Sequence, residues 1–165
     1  MLRTIHEKTS SAVLVALLLT ASAAAQSAHE GITVRTIEAP FEDVRHDVLD
    51  AIVNRGFVID YEAMIGEMLD RTAADVGADD KVYAHADTMQ FCSAVLSRAA
   101  IEADPANIAY CPYVIFVYEL AGQPGSIQVG FRHLPVRGSD ASKTALSEIN
   151  SLLEEIVAEA TASGK

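Results

Sequence analysis

The chain has 165 residues, the length of one domain or of one domain with a short appendage. Half of the residues are hydrophobic and 21% are charged, a composition that excludes a disordered chain. Twelve Lys and Arg against 23 Asp and Glu give a net charge of −11. This balance argues against binding to nucleic acid or to an anionic membrane surface, because both require a basic face.

The first 25 residues have the pattern of a secretory signal peptide. A basic start precedes the uncharged residues 11–21, and the small residues 23–25 then form a cleavage site. The apolar core is much shorter than the ~20 residues of a membrane-spanning helix. We therefore expect cleavage before Gln26 and a mature single domain over residues 26–165, soluble in the periplasm or outside the cell and not bound to membrane.

The spacing of apolar residues predicts five strands and four helices in the mature chain. The strands, recognised by alternation or by a short apolar run, are predicted over residues 32–37, 57–61, 81–87, 113–120 and 126–131. The helices, recognised by a period near 3.6, are predicted over residues 41–55, 62–78, 91–103 and 139–157. This order favours an α+β domain with helices on one face of an antiparallel sheet, and it places Val48 and Leu152 in the core.

Cys92 and Cys111 are the two cysteines of the sequence. In an oxidising compartment such a pair is most simply a disulfide, which would stabilise the fold by roughly 3 kcal/mol. Two alternatives remain from the sequence: a reduced and buried pair, or functional thiols or metal ligands. The spacing is not C-x-x-C, so the local signature of a thioredoxin-type redox pair is absent from the sequence.

Three segments resemble the domain of unknown function 302 family. Residues 41–57 form a helix that ends in Gly-Phe, and residues 91–105 form a Cys-bearing apolar helix that ends in Asp-Pro. Residues 109–119 step from Cys-Pro into a strong strand. The resemblance covers about residues 32–135. It implies a fold similar to the TATA-binding protein, with a curved antiparallel sheet, and it implies a homodimer. The family has no established activity, so the resemblance predicts the fold and not the function.

Candidate ligands for a metal or a small molecule are His85, Met89 and His133. Both histidines flank predicted strands, and His85 begins an H-x-x-x-M-x-x-C run that ends at Cys92. Imidazole, thioether and thiolate suit copper or haem iron better than magnesium or calcium. Side chains of these types more often serve packing or surface roles, so we predict no cofactor. The sequence contains no recognised catalytic motif, and we predict no catalytic residue.

Two functions of different classes follow from these observations. The first is a non-catalytic periplasmic or secreted module that binds a small apolar or sulfur-containing molecule in a pocket between sheet and helix. The alternative is a redox or sulfur-handling protein that uses Cys92 and Cys111, with a metal or haem carrier as a minor third reading. A stable disulfide favours the first function, and exposed thiols of low pKa favour the second. An enzyme is the less favoured class.

Overall fold

The computed structural model describes residues 30–162, so the predicted signal peptide lies outside the described residues. The strands are β1 (Ile32–Glu38), β2 (Ile59–Met64), β3 (Tyr83–Phe91), β4 (Tyr113–Leu120) and β5 (Ser126–Arg132). The helices are α1 (Phe41–Val53), α2 (Ile65–Val76), α3 (Ala94–Ala103) and α4 (Asp140–Ala160), with a 3₁₀ helix at Pro105–Tyr110. The five strands form one open antiparallel sheet in the order β1-β5-β4-β3-β2.

The core lies between one face of the sheet and the helices α1, α3 and α4. Alternate side chains of the three inner strands point into it and are fully buried, as the period of two in these strands requires. They are Met89, Phe91, Ile115, Val117, Ile127, Val129 and Phe131. Each buried side chain of this size contributes about 1.5–3 kcal/mol. The predicted α+β class, with helices on one face of an antiparallel sheet, is confirmed.

Helix α2 occupies the edge of the sheet beyond the end of β2. Strand β2 ends at Met64 opposite Asp87, and α2 begins at the next residue and packs against β3. A Cβ atom on Gly66 would lie 3.0 Å from the backbone nitrogen of Ala86, so glycine allows the helix to approach the strand. Gly66 is the one buried residue of this helix. The apolar side of α2 is therefore largely uncovered.

The largest differences from the predicted boundaries lie at the junctions of β2 with α2 and of β3 with α3. Residues 62–64 extend β2 and do not begin a helix, and β3 runs on to Phe91 where a helix start was predicted. The polar residues Asp87, Thr88 and Gln90 interrupt the apolar pattern, so the sequence did not predict this part of the strand. Asp87 points to the helix side, where Arg45 Nε donates a hydrogen bond of 2.8 Å to its carboxylate. An ion pair between residues this far apart has no signature in the sequence.

A disulfide pair connects two junctions at one end of the sheet. Cys92 follows β3 and Cys111 precedes β4, and their Cα atoms lie 6.0 Å apart, within the range of disulfide geometry. Ser93 then caps α3, accepting a hydrogen bond of 3.3 Å from the backbone N–H of Leu96. Among residues 30–162, no helix has both the length and the apolar character that crossing a membrane requires.

Candidate functional site

The second face of the sheet, called the open face below, has no helix packed across it in the described chain. Register places these residues on the open face: Val34 and Thr36 on β1, Tyr61 and Ala63 on β2, Ala86, Thr88 and Gln90 on β3, Val114, Phe116 and Tyr118 on β4, and Gln128 and Gly130 on β5. The charged residues Glu38 and Arg132 lie at its corners. In a chain with 23 acidic residues, the middle of this face is therefore uncharged.

A row of aromatic rings lies on the open face, along β4 and onto β3. Phe116 stacks on Tyr118 with ring centroids 5.9 Å apart, and Tyr118 meets Tyr83 edge to face at 5.3 Å. Gly130 of β5 lies opposite Phe116, and a Cβ atom there would come within 2.5 Å of the Phe116 ring and overlap the carbonyl oxygen of Thr33. The missing side chain at Gly130 thus allows the Phe116 ring to lie against the neighbouring strand.

A cavity of about 250 Å³ lies beside these rings, where α2 meets the sheet. It is lined by Ile65, Tyr83, Ala86, Asp87, Thr88, Phe116, Val117 and Tyr118. Its polar side-chain groups are the hydroxyls of Tyr83, Thr88 and Tyr118, because the Asp87 carboxylate is bonded to Arg45 on the helix side. An apolar cavity of roughly 150 Å³ can hold benzene. The size and lining suit a small uncharged molecule with an aromatic ring or a short apolar chain.

The hydroxyl at the centre of this site stays protonated. Burial raises the pKa of Tyr118, and the neighbouring Tyr83 raises it further. At neutral pH the phenol is therefore neutral and can donate a hydrogen bond. The lining contains no histidine, cysteine or lysine to act as a base or a nucleophile. The arrangement can bind and orient a molecule by ring stacking and hydrogen bonding.

The predicted ligands His85, Met89 and His133 are placed apart. Met89 is fully buried in the core. His85 stacks on Phe41 at 4.8 Å and lies 3.9 Å from the Glu119 carboxylate, whereas His133 makes a hydrogen bond of 2.8 Å with the Thr33 hydroxyl.

Register also separates the two histidines. His85 pairs with Glu119, which pairs with Ile127 on β5, and His133 lies six residues further along. Six residues of strand span roughly 20 Å, so the two imidazoles cannot share one metal ion. Within residues 30–162, no three His, Cys, Asp or Glu side chains are grouped to hold a metal. A role for one histidine in binding a ligand stays a prediction.

The disulfide pair has a polar neighbour that the sequence did not reveal. The Ser97 hydroxyl lies 3.8 Å from Cys111 Sγ and 2.6 Å from the Tyr113 hydroxyl. Burial raises the pKa of Tyr113, and the hydrogen bond with Ser97 offsets part of that shift. Cys92 and Cys111 are both partly exposed, so a small thiol reagent has access to the pair.

Comparison with known proteins gives the fold. The crystal structure of an uncharacterised conserved DUF302 protein from Bacillus stearothermophilus superposes with a TM-score of 0.65, covering 80% of this chain and 99% of that one at 12% sequence identity. The fold is that of a DUF302 protein. The resemblance noted in the sequence is thus confirmed for the fold. No family model and no curated protein matches the chain. A sequence identity of 12% to the DUF302 structure supports the fold and does not support the transfer of an activity.

We predict that Gly130→Ala destabilises the protein by about 1–3 kcal/mol, the range for overpacking a filled site. The new methyl group would have to displace both the Phe116 ring and the carbonyl of Thr33. Gly122→Ala is the matched control, since nothing lies within 4 Å of a Cβ atom there. Urea unfolding of both variants checks the prediction. Equal stability of the two variants would contradict the close approach of Phe116 to β5.

Proposed function

We propose that the protein is a non-catalytic module that binds a small, uncharged, largely apolar molecule in the open-face cavity. The observation that carries the proposal is a cavity without a free charge, built from Ile65, Tyr83, Phe116 and Tyr118 in a strongly acidic chain. Aromatic faces provide stacking surface at little conformational cost, and the three hydroxyls can orient the ligand by hydrogen bonding. The lining has no histidine, cysteine or lysine, and its one carboxylate, Asp87, is paired with Arg45, which favours binding over chemistry.

The test uses 2-naphthol, a neutral fluorescent ring compound, as the probe. We expect saturable binding by the wild-type protein, and binding at least about tenfold weaker for Thr88→Leu, because the larger side chain would occupy the cavity. Val95→Leu is the matched control, since Val95 lies on α3 away from the cavity and is 77% exposed. Fluorescence anisotropy gives the affinities. No binding by the wild type, or equal binding by the wild type and the Thr88→Leu variant, would reject the proposal.

A second candidate function is redox or sulfur handling by Cys92 and Cys111. It is favoured by their partial exposure and by the Ser97 hydroxyl 3.8 Å from Cys111 Sγ, a donor that would stabilise a thiolate. The open-face cavity favours the binding function, because the cysteines do not line it. The two functions are separated by the cysteine variants described in the Discussion.

We also propose that the protein is exported and that the mature chain starts near Gln26. The pattern of residues 1–25 supports this, and so does a cysteine pair at disulfide distance, which suits an oxidising compartment. The intact mass of the protein recovered from the native periplasm or culture medium checks it. Recovery of the full-length chain from the cytoplasm alone would contradict export.

We further propose a homodimer that forms through the outer edge of β1. This strand runs seven residues without proline, and in the described chain its ladder partner is β5 alone, so its other edge offers free backbone groups. A dimer that forms through this edge would leave the cavity beside β3 open. Sedimentation at micromolar concentration should give twice the monomer mass, and Thr36→Lys should shift the mass toward the monomer. A wild-type monomer would contradict the proposal.

A further inference from the structure

A second cavity adjoins the first. It has a volume of about 360 Å³ and lies between α2 and the segment that leads into β3. Its lining is formed by Gly66, Leu69, Asp70, Thr72, Ala73, Val76, Ala78, Asp79, Asp80, Lys81, Val82 and Tyr83. Tyr83 lines both cavities, so its ring lies at the boundary between them. The two cavities, which share the lining residue Tyr83, are together called the groove below, and the second cavity is its outer end.

The wall of the second cavity is apolar and uncovered. Leu69, Val76 and Val82 are 41%, 75% and 57% exposed, and all three line this cavity. Exposed aliphatic side chains of this kind are individually common, but here they cluster around one concavity that continues the aromatic row. An apolar ligand that extended along the groove would cover them, and it would gain the free energy of burying their surface.

Charge distinguishes the two ends of this groove. The open-face cavity offers no free charge, whereas the second cavity is lined by three aspartates and one lysine. Lys81 Nζ is 2.7 Å from the Asp70 carboxylate, which neutralises that pair. Asp79 and Asp80 make no ion pair among residues 30–162. The second cavity is therefore negative, and Tyr83 is one of its lining residues.

We propose that the two cavities form one site for an amphiphile with an apolar body and a cationic amine head. The body lies on the open face against Phe116 and Tyr118, and the head lies between Tyr83 and the carboxylates of Asp79 and Asp80. An ammonium group is attracted both by carboxylates and by the face of a tyrosine ring. This inference rests on the proposed binding function, and it names the class of ligand.

The test compares three eight-carbon probes that differ in the head group: n-octylamine, 1-octanol and octanoate. Displacement of 2-naphthol from the full mature protein at pH 7 and low salt measures each affinity. We expect octylamine to bind about five- to tenfold more tightly than octanol, the gain for one or two partly exposed ion pairs, and octanoate to bind most weakly. The preference for octylamine should shrink as salt is added.

Two double variants show whether these aspartates cause the preference. Asp79→Asn with Asp80→Asn should lose most of the preference for octylamine over octanol, keeping only the contribution of the Tyr83 ring, and should leave the affinity for octanol unchanged. Asp43→Asn with Asp47→Asn on α1 changes the net charge by the same amount away from the groove, and it should keep the preference.

The remaining outcomes separate the inference from the proposed function. Displacement by all three probes with equal affinity, or a preference for octylamine that Asp79→Asn with Asp80→Asn leaves undiminished, would overturn the proposal that the ligand has a cationic amine head. Binding of 2-naphthol without displacement by any eight-carbon chain would overturn the elongated site and leave the proposed function in place. No binding of 2-naphthol would overturn both.

Discussion

Replacing Val48 with aspartate should lower the free energy of unfolding by more than about 4 kcal/mol. Val48 lies on the inner side of α1 and is 0% exposed, among buried apolar side chains of the sheet and α4. A carboxylate at this position would lose its hydration and would find no cation in the core. For a domain of this size such a loss is a large part of the total stability, so we expect a largely unfolded protein at 25 °C.

Val53→Asp is the matched control, since it makes the same substitution in the same helix. Val53 is the last residue of α1 and is 52% exposed. Its replacement should reduce stability by less than about 1 kcal/mol, mainly because an acidic residue is unfavourable at a helix C-terminus. Circular dichroism during urea unfolding measures both variants. Similar stability of the two would show that α1 does not pack on the sheet through Val48.

Local patterns in the sequence were sufficient to predict most of the fold. Alternation in β5 and the apolar run of β4 placed both strands, and the 3.6-residue period placed α1 and α4. The boundary between β2 and α2 was wrong because Ala63 and Met64 favour helix, whereas pairing with Thr88 and Asp87 holds them in the sheet. The period of α4 placed Leu152 in the core, but Leu152 is only partly buried, whereas the next residue, Leu153, is fully buried. The period indicates the apolar side of the helix, and packing against the sheet decides which residues of that side are buried.

The candidate site was much less accessible to sequence reasoning. Phe116 and Tyr118 lie in an apolar run that indicates a strand buried on both faces, so the sequence did not show that these two rings face an uncovered surface. The partners Ile65 and Tyr83 come from α2 and β3, more than thirty residues away from Phe116 and Tyr118. Only the antiparallel register, together with Gly130 beside Phe116, brings these side chains around one cavity.

Replacing both Cys92 and Cys111 with serine should lower the free energy of unfolding by about 2–3 kcal/mol. The cysteines are 19 residues apart in sequence, and a bond between them restricts the unfolded chain more than the folded one. Urea unfolding without reductant measures the loss. Wild-type protein treated with a dithiol reductant is the matched control, and it should unfold at nearly the same urea concentration as the serine variant. Free thiols titrating in the untreated native protein would reject the bond.

The same double variant also separates the two proposed functions. Cys92 follows the last residue of β3, whereas the nearest cavity residue of that strand, Thr88, lies four residues earlier, a distance of roughly 13 Å along the strand. If the bond only stabilises the fold, the variant should bind 2-naphthol with wild-type affinity in the absence of urea. Unchanged stability of the variant, together with reversible reduction and reoxidation of the wild-type pair by a small dithiol in the folded protein, would instead favour Cys92 and Cys111 as the functional site. Because the cavity and the cysteines lie toward opposite ends of β3, a defect in one activity should leave the other intact.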